Sequence, residues 1–121
     1  MGYVLIDDGM GEHPKIEALS DKDFRAFIRA LCWSSRRQTD GHIPPQVLGA
    51  LQMTKAQAAR MVDAGVLNAN GDGGWVIHGY LDHNPPAEPE ARKKWFASRR
   101  QRKRRGALAE AEGQEGSWPE V

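Results

Sequence analysis

Apolar and polar positions along this chain follow two periods. Over "SDKDFRAFIRALCWSSRRQ", Phe24, Phe27, Ile28 and Leu31 recur at i, i+3, i+4 and i+7, which predicts an amphipathic helix with one face on a core. Ser20 stands where an N-cap belongs. Asp21 and Asp23 fall in the first turn and Arg36 and Arg37 in the last, each sign complementing the helix dipole. Cys32, beside Leu31, is expected in the core. "TDGHIPP" carries an Asp40-Gly41 turn and leaves His42-Ile43 room for only a stub of strand. Pro44-Pro45 then opens a short helix, "PQVLGAL", with Val47, Leu48 and Leu51 inward. "MTKAQAARMVDAGVL" predicts one more helix. Thr54 and Gln57 form a capping-box pair, Ala58, Met61 and Val62 the buried stripe, and Gly65 the residue past the end.

Around "NANGDGG" the helical period stops. Val66-Leu67 and Trp75-Val76-Ile77-His78 flank Asn-Gly and Asp-Gly pairs, which predicts a β-hairpin. These glycines precede a strand, whereas a phosphate-binding loop opens a helix. Pro85-Pro86 interrupts regular structure, and Pro89-Glu90 can start a last helix running toward Gly106. The end, "GALAEAEGQEGSWPEV", is Gly- and Glu-rich and is expected to be mobile. The predicted organisation is a domain over 1–86, a basic helix over 87–106 and an acidic tail over 107–121. The expected fold class is mainly α with a small β-hairpin. Helix, short strand, helix, helix, hairpin is the order of a winged helix-turn-helix, although other small α+β folds share it.

Charge changes the picture. The formal net charge of +1 is a cancellation between blocks. Residues 1–91 hold eight basic and twelve acidic residues, 92–105 hold nine basic and no acidic ones, and 106–121 hold four Glu and no basic residue. The block is Arg92, Lys93, Lys94, Arg99, Arg100, Arg102, Lys103, Arg104 and Arg105. A solvated helix face is the plain alternative, but nine like charges in fourteen residues repel one another, and a polyanion relieves that repulsion through counterion release. A nuclear-localisation signal also fits a run of this kind. Trp95 and Phe96 interrupt the block, either to stack on bases or, the favoured reading, to pack on the parent domain. On the helix opened by Thr54, Lys55, Gln57 and Arg60 suit phosphate and base-edge contacts, and ordinary surface positions are the alternative. Arg25, Arg29, Arg36 and Arg37 add charge to the first long helix, where Arg25 can pair with Asp21 at i, i+4.

Other chemistries find little support. One cysteine allows no intrachain disulfide, and no HxxxH or CxxC accompanies the four histidines, so neither a metal nor another cofactor is expected. Asp7 and Asp8, read as adjacent strand residues, would point to opposite faces, and Asp21 and Asp23 suit a helix start, so an acid–base pair and an enzyme are not expected. No apolar run is long enough for a membrane span, and neither a secretory signal nor a myristoylation pattern is seen, so a cytoplasmic protein without membrane partners is expected.

Four stretches resemble a known group. They are His13-Pro14-Lys15, Asp40-Gly41-His42-Ile43-Pro44, Ala64-Gly65-Val66-Leu67, and the run from Ile77-His78 to Asn84-Pro85. Over roughly residues 3–86 the chain is similar to small helix-turn-helix proteins of actinobacterial phages and prophages. It is also similar to the N-terminal winged-helix domain of phage replisome-organiser and replication-initiator proteins. The resemblance implies a winged helix that binds double-stranded DNA in a bacterial cytoplasm, in regulation or replication. The larger initiators continue into a second domain, where this chain has only the basic segment and the acidic tail. The expected mechanism is positional: hairpin and basic helix neutralise phosphates while Lys55, Gln57 and Arg60 sample the major groove. The acidic balance of 1–91 keeps a second reading open, a module that binds a host or phage protein such as a polymerase, helicase loader or nuclease. The tail could also fold back on the basic helix. Monomer and homodimer both remain compatible with the sequence.

Overall fold

The computed structural model describes residues 2–111, with side chains for 2–102. After a 3-10 turn at Met10–Glu12 come the one-turn α1 (Pro14–Glu17) and the long α2 (Asp21–Arg37). Then follow β1 (His42–Ile43), a second 3-10 turn (Pro45–Val47), α3 (Lys55–Ala64), β2 (Leu67–Ala69) and β3 (Trp75–Ile77). The one-turn α4 (Tyr80–His83) and α5 (Pro89–Ala111) complete the order. The chain divides into two compact units, Met1–Asn84 and Pro85–Val121. Among the described residues, no helix is long and apolar enough to cross a membrane.

The first unit is mixed α with a small three-stranded antiparallel sheet of order β1-β3-β2. The predicted hairpin is present, with Leu67 opposite Ile77 and Ala69 opposite Trp75. Its partner β1 pairs His42 with Val76 and Ile43 with Trp75. Gly74 is dictated by this pairing, since a Cβ there would lie 2.5 Å from the Ile43 carbonyl oxygen. At Gly41 the backbone has φ +91, and a Cβ would lie 2.8 Å from Cβ of Tyr80. These two glycines let the sheet close against its neighbours.

The helix ends follow their predicted chemistry. The Ser20 hydroxyl accepts the Asp23 N–H, and the Thr54–Gln57 capping box forms in both directions. Gly65 ends α3 in the left-handed region at φ 88. A relay of hydroxyls ends α2: the Gly41 N–H donates to Ser34 Oγ at 2.7 Å, Ser34 lies 2.6 Å from Thr39 Oγ1, and Thr39 donates to the His42 carbonyl at 2.8 Å. At the other end of the unit, Asn84 is buried. It accepts the Leu5 N–H at 2.7 Å and donates to the Leu5 carbonyl at 3.2 Å, clasping the segment before α1.

Phe27, Leu31, Ile43, Leu51, Met61, Leu67 and Ile77 form the centre of the core. Several expectations need correction. The buried stripe of α2 is Asp23, Ala26, Phe27, Ala30, Leu31 and Ser34, so Phe24 and Ile28 lie at its edges. Cys32, one step of about 100° beyond Leu31, is exposed rather than in the core. The helix expected over "PQVLGAL" is a single 3-10 turn. Leu48 and Leu51 are buried as predicted, but the backbone turns at Gly49 and takes φ 53 at Gln52, which interrupts a helical ladder. Asp7 and Asp8 do not sit on a strand. The Asp7 carboxylate instead accepts the Gly9 N–H at 3.1 Å in a turn. The last helix passes Gly106 and runs to Ala111, since one interior glycine costs only about 1 kcal/mol among good helix formers. Of the expected tail over 107–121, residues 112–121 lie outside the described residues.

Candidate nucleic-acid interface

Three positions on α3 were the expected readers, and the structure treats them differently. Lys55 is exposed and has no partner among the described residues. Gln57 and Arg60 reach instead to Asp23 of α2. Arg60 donates from Nε to Oδ2 at 2.7 Å and from Nη2 to Oδ1 at 3.0 Å, and Gln57 Nε2 donates to Oδ1 at 3.2 Å. Gln57 Oε1 also accepts the Thr54 N–H at 2.9 Å. Asp23 is 2% exposed, whereas the Arg60 side chain is 57% exposed. The hydrogen bonds from Arg60, then those from Gln57 and the Ser20 contact, hold the Asp23 carboxyl below its ordinary value and outweigh the opposing effect of burial. The same pairing raises Arg60. Chemically this is a clamp between α2 and α3 that engages Nε and Nη2 of Arg60.

The sequence reading placed Asp23 at a helix start for its dipole and missed the clamp. A signal was available: Asp23, Ala26, Phe27 and Ala30 share one helical phase, so a carboxylate was placed on the core face and needed a donor.

The hairpin offers little to a phosphate. From Leu67 to Ile77 its single charged residue is Asp72, which accepts the Gly74 N–H at 2.9 Å and lies 2.9 Å from His42 Nε2. The Gly74 hydrogen bond, with His42 beside it, lowers the Asp72 carboxyl.

The second unit carries the basic block. Arg92, Lys93, Lys94, Arg99, Arg100 and Arg102 are all on α5, and Lys103, Arg104 and Arg105 continue its helical backbone. All but Arg99 of the first six are exposed. Within this run, Lys93 reaches Glu90 at 3.8 Å on an exposed face, a contact worth little in water. Trp95 and Phe96 meet edge to face at 5.1 Å. Arg92 lies over the Phe96 ring at 5.5 Å and Arg99 over Trp95 at 5.3 Å, both within cation–π range. At the helix start the Glu88 carboxylate caps Ala91 and Glu90 N–H groups, which lowers its pKa.

On α2, Arg25, Arg36 and Arg37 are exposed and Arg29 is half-buried, and among the described residues no ion pair joins Arg25 to Asp21. Three histidines, His13, His78 and His83, line a cavity of about 230 Å³ in the first unit, beside Lys15, Asp7 and Asp82. No group of three or more His, Cys, Asp or Glu among the described residues is placed to hold a metal ion. Comparison with protein-family profiles, curated proteins and solved structures gave no match to this chain.

Proposed function

We propose that this is a nucleic-acid-binding protein of the phage type, a reduced winged helix-turn-helix with a basic helix appended, acting on double-stranded DNA in regulation or replication. The observation that carries it is α5, where a continuous helix holds nine Lys or Arg over 92–105 with no acid among them. The element order α2, β1, turn, α3, hairpin and the β1-β3-β2 sheet support the winged-helix reading. The mechanism is mainly electrostatic. A helix with this charge contacts roughly four to seven phosphates, releases their counterions and binds with little regard for sequence. Lys55 is the one expected α3 reader left without a partner, so base readout from α3 is minor.

Fluorescence anisotropy with a mixed-sequence duplex tests this. Wild type should bind tightly at low salt, with a slope of log affinity on log salt of about −0.9 per phosphate contacted. Replacing Arg99, Arg100 and Arg102 by Gln should flatten that slope by about 2 to 3. Absence of binding by the wild type at low salt would sink the proposal.

One set of observations favours a second reading, a protein-interaction module. Gln57 and Arg60 are engaged by Asp23, and the hairpin's only charge is negative. A stoichiometric protein partner recovered from nuclease-treated lysate, with no duplex affinity, would decide for it.

A further inference from the structure

We propose that the outward face of α2 is a second phosphate-binding surface, separate from α5, which takes the backbone of a bound nucleic acid. It rests on the reading of the chain as a nucleic-acid-binding protein and places a contact in the first unit, where the hairpin offers no Lys or Arg and α3 leaves only Lys55 without a partner among the described residues.

The argument begins with phase. At about 100° per residue, Lys22, Arg25, Arg29 and Arg36 fall within an arc of about 60°, centred about 140° from the buried stripe. With a rise of about 1.5 Å per residue they form a line about 21 Å long. Lys22, Arg25 and Arg36 are exposed and Arg29 is half-buried. None has a carboxylate partner among the described residues. The acids of α2 are confined to its first turn, and one of them, Asp23, faces inward and is occupied by Arg60.

The distribution is one-sided at the scale of the unit. Met1–Asn84 has eight Lys or Arg, and four of them are on this one face of α2. An ordinary solvated helix mixes signs and gains from i, i+4 pairs of opposite charge, whereas Arg25 and Arg29 form a like-charge pair at that spacing. A linear polyanion removes the repulsion. Guanidinium groups suit it, since their planar forks match phosphate oxygens two at a time.

The chain also supplies its own reporter. Cys32 is its single cysteine, is exposed, and lies between Arg29 and Arg36 on this side of the helix. Its alkylation by a neutral maleimide reads whether a ligand covers the face, independently of affinity. The experiment uses the full chain, wild type and the triple variant Arg25→Gln, Arg29→Gln, Arg36→Gln, with duplex and single-stranded DNA as probes. Gln keeps helix propensity, and circular dichroism checks the fold. The expected results are a several-fold slower alkylation at saturating DNA and a salt slope flattened by about 2.7 in the triple variant, about 0.9 per lost duplex contact. A wild type that binds DNA with Cys32 unprotected, or a triple variant with unchanged slope, overturns this inference and leaves the function of α5 standing. A wild type that binds no DNA overturns both. Protection of Cys32 by poly-glutamate but not by DNA assigns the face to an acidic protein and also overturns it.

Discussion

Asp23 shows how one residue decides what its neighbours can do. A carboxylate at 2% exposure needs donors, and Arg60 and Gln57 supply them across 34 to 37 residues of chain. The two partners are not equivalent. With Arg60→Ala the buried carboxylate loses its charged donor, and the denaturant midpoint should fall clearly. With Asp23→Ala the freed guanidinium, 57% exposed, can hydrate, and the midpoint should fall less. Denaturant midpoints of the two variants give the comparison, and equal losses would refute the asymmetry. The sign of the pH effect follows from the same geometry. The folded Asp23 carboxyl titrates below its ordinary 3.8, so its contribution is full above that value and is lost as pH falls through the lower, folded one. Stability should therefore fall on the acid side of about pH 4 and fall less steeply in Asp23→Asn. Asp72 and Glu88, also lowered, leave a residual slope of the same sign. The clamp was only half legible in the sequence: helical phase puts Asp23 inward, but pairwise local patterns cannot name a partner so far along the chain.

At the scale of elements, the sequence was most legible where the determining contacts are local. Ser20, the Thr54–Gln57 box and Gly65 end their helices as their types require, because each acts within one turn. The hairpin was readable from its Asn-Gly and Asp-Gly pairs for the same reason. What escaped was set at longer range. The stub of strand at His42–Ile43 was legible, but its pairing with β3 was not, and the "PQVLGAL" segment forms only a 3-10 turn while still burying Leu48 and Leu51. Gly74 tests the sheet's part in this. A methyl there meets the Ile43 carbonyl oxygen at 2.5 Å, a backbone atom rather than a flexible side chain that could yield. Gly71, three residues away in the same loop, has open space around its Cβ position. Gly74→Ala should cost about 2–3 kcal/mol and lower Tm by about 10 °C or more, whereas Gly71→Ala should stay within about 0.5 kcal/mol of wild type. Thermal scans of both variants check this. A neutral Gly74→Ala would mean that β1 detaches from β3 without consequence for the fold.

For the whole molecule, charge is arranged in blocks along the chain. The basic run of 92–105 was legible from charge density alone, and its helical form follows from the Arg, Lys, Ala and Gln that make up most of it. The expected role of α3 was less legible, because the exposure of Arg60 says nothing about which atoms of its fork are taken. The acidic end is the remaining block. Residues 107–121 carry four Glu and no Lys or Arg, directly after the basic run. On the proposed reading, these glutamates oppose a polyanion at α5 only within the reach of a screened field, about 10 Å at 0.1 M salt. Deleting 107–121 removes four negative charges and raises the formal net charge from +1 to +5. Duplex affinity should then rise several-fold at roughly 0.02 M salt, where the Debye length exceeds 20 Å, and the gain should vanish by roughly 0.3 M. An anisotropy titration of the full and shortened chains across that range reads the effect. A gain that persists at high salt would point to a specific contact between tail and basic helix rather than a screened field. Equal affinity at every salt would mean that the glutamates do not act on the proposed polyanion contact.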